Sequence, residues 1–164
     1  MVIGGQAVLL YGEPRLTRDI DITLGVGIEE LKTIQSIMKT LSLKVLVDDP
    51  EGFVRKTMVL PLLQEEPNIR VDLVFSHTPY EKKAIARAID VPMEVTRVKF
   101  ASIEDVVIHK IVAGRPRDIE DVKSILLKQS TYDHTYMRKW LTEFDASLNE
   151  SYLEAFQKVI EEIQ

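Results

Sequence analysis

Val2-Ile3-Gly4-Gly5-Gln6-Ala7-Val8-Leu9-Leu10-Tyr11-Gly12, followed by Arg15-Leu16-Thr17-Arg18-Asp19-Ile20-Asp21-Ile22, sets the frame for the whole chain. Val2-Ile3 reads as a short strand that breaks at Gly4-Gly5, and residues 6–11 read as a brief helix ended by Gly12. From Asp19 to Leu24 polar and apolar residues alternate, the period of a strand with two unlike faces. Asp19 and Asp21 therefore point to the same side of a sheet. Glycines before a helix let the backbone come close to a phosphate, and the helix N-terminus offers free N–H groups to it. Such a turn is common by itself. Its weight comes from the acidic pair downstream, with thirteen residues between Gly5 and Asp19.

Working outward, Leu31, Ile34, Ile37, Met38 and Leu41 recur at helical spacing and predict an amphipathic helix over 28–41. A strand is expected at 43–47 and a short helix at 50–56. Residues 58–63 and 69–75 look like a hairpin around Glu65-Glu66-Pro67-Asn68. Pro61 cannot donate to a ladder, so its strand is expected at an edge or with a bulge. A helix over 80–88 and a strand over 95–100 follow. From Ser102 the pattern is helical only, in segments 102–113, 116–128, 134–145 and 150–163. The expected fold is α+β: a mixed sheet flanked by helices over 1–101, then a C-terminal helical bundle over 102–164 packed on it.

The chain has 164 residues, enough for one domain with a small helical extension. A net charge of −5 excludes a uniformly basic nucleic-acid surface and leaves room for a local basic groove. Cysteine is absent, which excludes disulfides and thiolate metal sites and fits a reducing cytosol. Met1-Val2-Ile3-Gly4-Gly5 lacks the basic start and apolar run of a signal peptide, and nowhere do eighteen apolar residues follow one another. A cytoplasmic protein is expected, with no membrane partner.

Two carboxylates on one strand face suit Mg²⁺, a hard ion that takes oxygen ligands. Asp72, between Val71 and Leu73, repeats the arrangement on a later strand. If the two strands are neighbours, three carboxylates can hold a pair of metal ions about 3.5–4 Å apart, which orients a triphosphate and neutralises a leaving pyrophosphate. Lys110 lies on the flank of an apolar stripe formed by Ile103, Val106, Val107 and Ile111. Its ammonium either reaches a triphosphate or sits in water while its stem covers apolar surface. Arg15 and Arg18 flank the acidic pair as loop arginines or as phosphate contacts. Around Gly114 and Pro116, the group Arg115, Arg117, Asp118 and Asp121 reads first as helix punctuation and a favourable helix dipole. His77, His109 and His134 show no metal-ligand spacing.

Taken together, Val-Ile-Gly4-Gly5, the short helix, Gly12, Arg15-Leu-Thr17-Arg18-Asp19-Ile-Asp21-Ile and Val-Asp72-Leu resemble the nucleotidyltransferase superfamily typified by DNA polymerase beta. Ser102-Ile-Glu104-Asp105 through Lys110, Ala113, Arg115, Arg117, Asp118 and Asp121 is similar to the helical block that follows the catalytic core in the small bacterial AbiE-type toxins and minimal nucleotidyltransferases. The chain departs from many relatives in having Gly5 where they have Ser, and in starting on the first strand where they carry a helix before it. The resemblance implies transfer of a nucleoside monophosphate from an NTP to an acceptor hydroxyl on RNA or tRNA, a protein or a small molecule. It further implies two Mg²⁺ or Mn²⁺ ions on Asp19, Asp21 and Asp72, and nucleotide contacts from Gly4, Gly5, Gln6, Arg18 and Lys110. A toxin role with an antitoxin protein as partner would fit. The alternative is a non-catalytic nucleotide-binding regulatory subunit that acts through a partner, against which three retained like charges speak.

Overall fold

The computed structural model describes residues 1–76 and 78–163, so His77 lies outside the described residues. Strands β1 (Val2–Ile3), β2 (Asp19–Thr23), β3 (Lys44–Val45), β4 (Val59–Gln64), β5 (Ile69–Val74), β6 (Ile89–Met93) and β7 (Thr96–Phe100) form one mixed sheet, in the order β3-β4-β5-β2-β1-β7-β6. The chain divides into two units: a sheet unit of residues 1–6 and 16–100, and a helical unit of residues 7–15 and 101 onward. The described helices are α1 (Gly4–Tyr11), α2 (Leu31–Thr40), α3 (Pro50–Thr57), α4 (Pro79–Arg87), α5 (Ile103–Ala113), α6 (Pro116–Lys128), α7 (His134–Leu148) and α8 (Tyr152–Ile163).

In the sheet unit, β2 lies between β1, to which it is antiparallel, and β5, to which it is parallel. Alternate residues take opposite sides. One side is apolar: Leu60, Leu62, Leu73 and Phe75 are buried with Leu31 of α2 and Val54 of α3, and Ile22, Ile34, Met38 and Val71 pack against them. The other side of the same two strands carries Asp19 and Asp21 on β2 and Asp72 on β5. The register pairs Ile22 with Leu73 on the apolar side and Asp21 with Asp72 on the acidic one.

The helical unit buries Val106, Val107, Ile108, Ile111, Val122, Ile125, Met137, Leu141, Phe156 and Val159. Its helices start and stop on recognisable chemistry. The Ser102 hydroxyl accepts from Asp105 N–H, Gly114 ends α5 at φ 64°, Pro116 opens α6, and Asp133 caps α7 by accepting from Tyr136 N–H. Residues 7–15 belong to this unit, not to a core running unbroken over 1–101, because their polar groups are satisfied there. Tyr11 Oη donates to Ala101 O at 2.8 Å, Glu13 N–H to Ser124 Oγ at 2.6 Å, and Gln129 Nε2 to Tyr11 O at 2.8 Å. Burial, with Glu104 and Asp105 nearby, pushes the Tyr11 phenol up to about 12.

Three sequence expectations are revised. Residues 89–93 form β6 despite Asp90 and Pro92, because β6 is an edge strand that pairs only with β7. Pro61 is not on an edge strand: β4 lies between β3 and β5. Its carbonyl accepts from Leu46 N–H at 3.0 Å on the β3 side, just past the two residue pairs that β3 makes. A strand residue's nitrogen and carbonyl point the same way, so the missing N–H falls where the ladder has ended. Finally, the expected 28–41 helix opens as a 3-10 turn over Ile28–Glu30 before α2 begins.

Leu60 is fully buried and Leu41 is 57% exposed. Leu60→Ala is expected to cost about 2–5 kcal/mol in urea denaturation, and Leu41→Ala less than about 0.5 kcal/mol. Equal costs would move the core off this face of the sheet.

Candidate active site

The parallel pairing of β2 with β5 brings the three aspartates to one side of two adjacent strands. Asp21 stands opposite Asp72, and Asp19 opposite Arg70. Asp19 is exposed, while Asp21 and Asp72 are half-buried. Arg70 Nε donates to Asp72 Oδ1 at 3.1 Å. The hydrogen bond to Asp72 and its charge raise the Arg70 guanidinium above its ordinary value against a small burial effect, and Asp19 and Asp21 add to the rise.

Gly4 links the glycine turn to this acidic side. It opens α1 with φ 64°, and a Cβ built on it would lie 2.0 Å from Asp21 Oδ2 and 2.9 Å from Asp21 Cγ. The Asp21 carboxylate thus occupies the space a side chain would need, and the backbone conformation itself favours glycine. Gly5 and Gln6 follow in the first turn of α1. Arg18 is exposed and immediately precedes β2. The sheet unit therefore brings together Gly4, Gly5, Gln6, Arg18, Asp19, Asp21 and Asp72.

An all-oxygen set of carboxylates on one sheet face fits a hard divalent cation such as Mg²⁺. Among the described residues, no three His, Asp or Glu side chains stand close enough together to hold a metal ion between them, so a cation at this face would draw the carboxylates together as it bound. Asp72 is turned toward Arg70, which donates to its Oδ1.

Lys110 lies in the helical unit, and its ammonium is buried between two carboxylates. It donates to Asp118 Oδ1 at 2.6 Å and pairs with Asp121 Oδ2 at 2.9 Å, with its side chain 8% exposed. Arg15 grips the same Asp121 with Nε and Nη2 at 2.7 and 2.8 Å, and Arg115 Nε reaches Asp118 Oδ2 at 2.6 Å. The cause is the burial of α5 on nearly all sides, since Val106, Val107, Ile108 and Ile111 are buried with Lys110. A lysine buried this deeply requires carboxylate partners. Burial alone would push Asp118 and Asp121 up, but hydrogen bonds and charge from Arg115 and Lys110, and from Arg15 and Lys110, hold both below the usual carboxylate range. Reading the sequence for phosphate ligands missed this cluster. Its signal was present in two acids three apart on α6, placed after a lysine in an otherwise apolar helix.

The fold and the acidic face define a nucleotidyltransferase-type protein. Over residues 1–163 the sequence matches the family described as nucleotidyltransferase of unknown function, DUF6036, and the chain belongs to that family. No curated protein matches it. Among solved structures, the chain is similar to an antigenic nucleotidyltransferase-like protein from Paracoccidioides brasiliensis. That likeness has a TM-score of 0.55 and 16% identity over 94% of this chain and 83% of the other, a likeness of fold.

Two expected outcomes follow from the geometry. Gly4→Ala forces a Cβ into the Asp21 carboxylate at a left-handed φ, and is expected to destabilise the chain by about 1–2 kcal/mol. The check is a urea melt beside Gly5→Ala, which should cost less. Lys110→Met leaves two buried carboxylates short of a cation and is expected to cost about 3–5 kcal/mol. Asp118 and Asp121 are depressed in the folded state, so their contribution is complete above about pH 4 and is lost as pH falls through their lower folded values. A wild-type melting series from pH 5 to pH 2 should show that loss, and Lys110→Met should flatten it.

Proposed function

We propose that this chain is a metal-dependent nucleotidyltransferase that moves a nucleoside monophosphate from an NTP to an acceptor hydroxyl. The observation that carries the reading is the parallel register that sets Asp21 against Asp72, with Gly4 directly beneath the Asp21 carboxylate. In the reaction the acceptor oxygen forms a bond to the α-phosphorus, the bond from that phosphorus to the bridging oxygen breaks, pyrophosphate leaves, and the hydroxyl proton passes to solvent. Asp19 and Asp21 would hold two Mg²⁺ or Mn²⁺ ions, with Asp72 completing the ligands of the one facing the acceptor. When bound, the ions supply charge neutralisation on the triphosphate and lower the pKa of the attacking hydroxyl.

The protein's own groups orient and hold. Gly4, Gly5 and the N–H groups that open α1 take the phosphates without a side chain in the way, and Gln6 adds an amide in the same turn. Arg18, exposed beside β2, contributes charge to the triphosphate or to the acceptor. Lys110 acts inside the helical unit through Asp118 and Asp121. The acceptor class stays as broad as the sequence leaves it, spanning RNA or tRNA, protein and small molecules. Toxicity on expression, relieved by a partner protein, would make this chain the toxin of a pair.

The test is Mg²⁺-dependent incorporation of label from α-labelled NTPs, with total RNA, the protein itself and an aminoglycoside as acceptors. The paired substitutions Asp19→Asn and Asp21→Asn are expected to reduce incorporation by about a hundredfold or more and to abolish the rise in melting temperature given by Mg²⁺ with NTP. Undiminished incorporation in the double variant would place the chemistry elsewhere. NTP binding with no transfer to any acceptor would favour a regulatory subunit.

A further inference from the structure

We propose that Arg70 is the resident counter-ion of the acidic face: it holds the Asp72 carboxylate while no cation is present, competes with a divalent cation for that carboxylate, and so sets how tightly the face takes the ion. This rests on the metal reading proposed above. Arg70 and Asp72 are two apart on β5, so both project to the side that carries Asp19 and Asp21. The Nε–Oδ1 bond of 3.1 Å spans that spacing directly. Arg70 also stands opposite Asp19 in the register, and all three aspartates strengthen its hold on its proton.

Exposure gives the pair its asymmetry. The Arg70 side chain is 51% exposed and that of Asp72 20% exposed, so the arginine reaches in from solvent and can withdraw without opening the core. A guanidinium keeps its charge across the working pH range, so it yields the carboxylate only by moving. Lys44 on β3 and Lys99 on β7 are engaged with Glu65 and Asp90 at 3.3 and 3.2 Å. An arginine in contact with a cation's ligand raises the local potential and occupies a lone pair that the cation needs. Without that arginine, the three carboxylates would bind a cation more tightly and repel each other more strongly in its absence.

The experiment is a Mn²⁺ titration without nucleotide, read by the electron paramagnetic resonance signal of free Mn²⁺, beside thermal melts in EDTA. Arg70→Gln is expected to bind Mn²⁺ about tenfold more tightly than wild type and to melt at a lower temperature in EDTA. Arg70→Lys, which keeps the charge, should stay close to wild type in both. In an Asp72→Asn background, Arg70→Gln should change both quantities far less than it does in wild type, since the direct pair is already gone and only its weaker interaction with Asp19 and Asp21 is left. Mn²⁺ affinity in Arg70→Gln that is equal to or weaker than wild type overturns the role of Arg70, as does an effect of undiminished size beside Asp72→Asn. If wild-type binding is lost in the Asp19→Asn and Asp21→Asn variant yet indifferent to Arg70→Gln, only Arg70 is overturned and the metal reading stands. Wild-type protein that takes up no Mn²⁺ overturns both.

Discussion

A slip of β2 by one residue against β5 would send Asp19 and Asp21 to the apolar side and Ile20 and Ile22 to the acidic one, parting the two aspartates from Asp72. That slip is forbidden by the core. Leu60, Leu62, Leu73 and Phe75 are buried to 2% exposure or less, with Leu31 and Val54 against them. Each such side chain contributes about 1.5–3 kcal/mol by leaving water, and a carboxylate taken the other way costs several kcal/mol. Repulsion among three partly solvated aspartates is smaller than either. The acidic face is therefore held by the packing on its reverse side, and its charges are tolerated because β2 is locked between β1 and β5 on both edges.

The same chain deals with clustered charge in two ways, and the difference separates scaffold from site. In the helical unit, Lys110, Arg15 and Arg115 meet Asp118 and Asp121, three cations for two carboxylates, with both acid side chains at 5% exposure or less. That cluster is closed, since its carboxylate oxygens are taken by donors of the chain itself. On the sheet, the six residues of β2 and β5 that share the acidic face are Asp19, Asp21, Thr23, Arg70, Asp72 and Val74. One arginine stands with three aspartates there, next to a glycine turn, and the excess is negative and reachable from water. A surplus of carboxylate on a rigid face attracts a cation, and carboxylates already matched by the chain's own cations do not.

Much of this was legible in the residues. Alternation in Asp19-Ile20-Asp21-Ile22 and in Arg70-Val71-Asp72-Leu73 fixed which side chains share a face, because a strand's period is two whatever its neighbours are. Helices after Ser102 declared themselves through Ser102, Gly114, Pro116 and their apolar spacing. The adjacency of β2 and β5 was conditional in the sequence, since pairing order is a long-range property that local pattern does not carry. The carboxylate partners of Lys110 were missed for a related reason: periodicity counts one stripe of α5, whereas α5 is covered on nearly all sides. β6 was hidden by Pro92, which removes a donor that an edge strand does not need.

Gly4 shows how little of the turn's work falls to side chains. Its left-handed φ and the contact with Asp21 fix where α1 begins relative to the acidic face, so the N–H groups of that first turn are placed by the same constraint that places a carboxylate. Gly5 adds no side-chain hydroxyl to this turn. In the transfer reaction proposed above, phosphate recognition at this turn would fall chiefly to backbone amides, which respond to the charge and shape of a phosphate and carry no information about the base attached to it. Any preference for one nucleobase has to come from side chains outside the glycine turn. The strand register and the Gly4–Asp21 contact, the features fixed most firmly here, would therefore serve the phosphates and the acidic face in the proposed reaction, and nucleobase and acceptor choice would rest on groups that neither of them constrains.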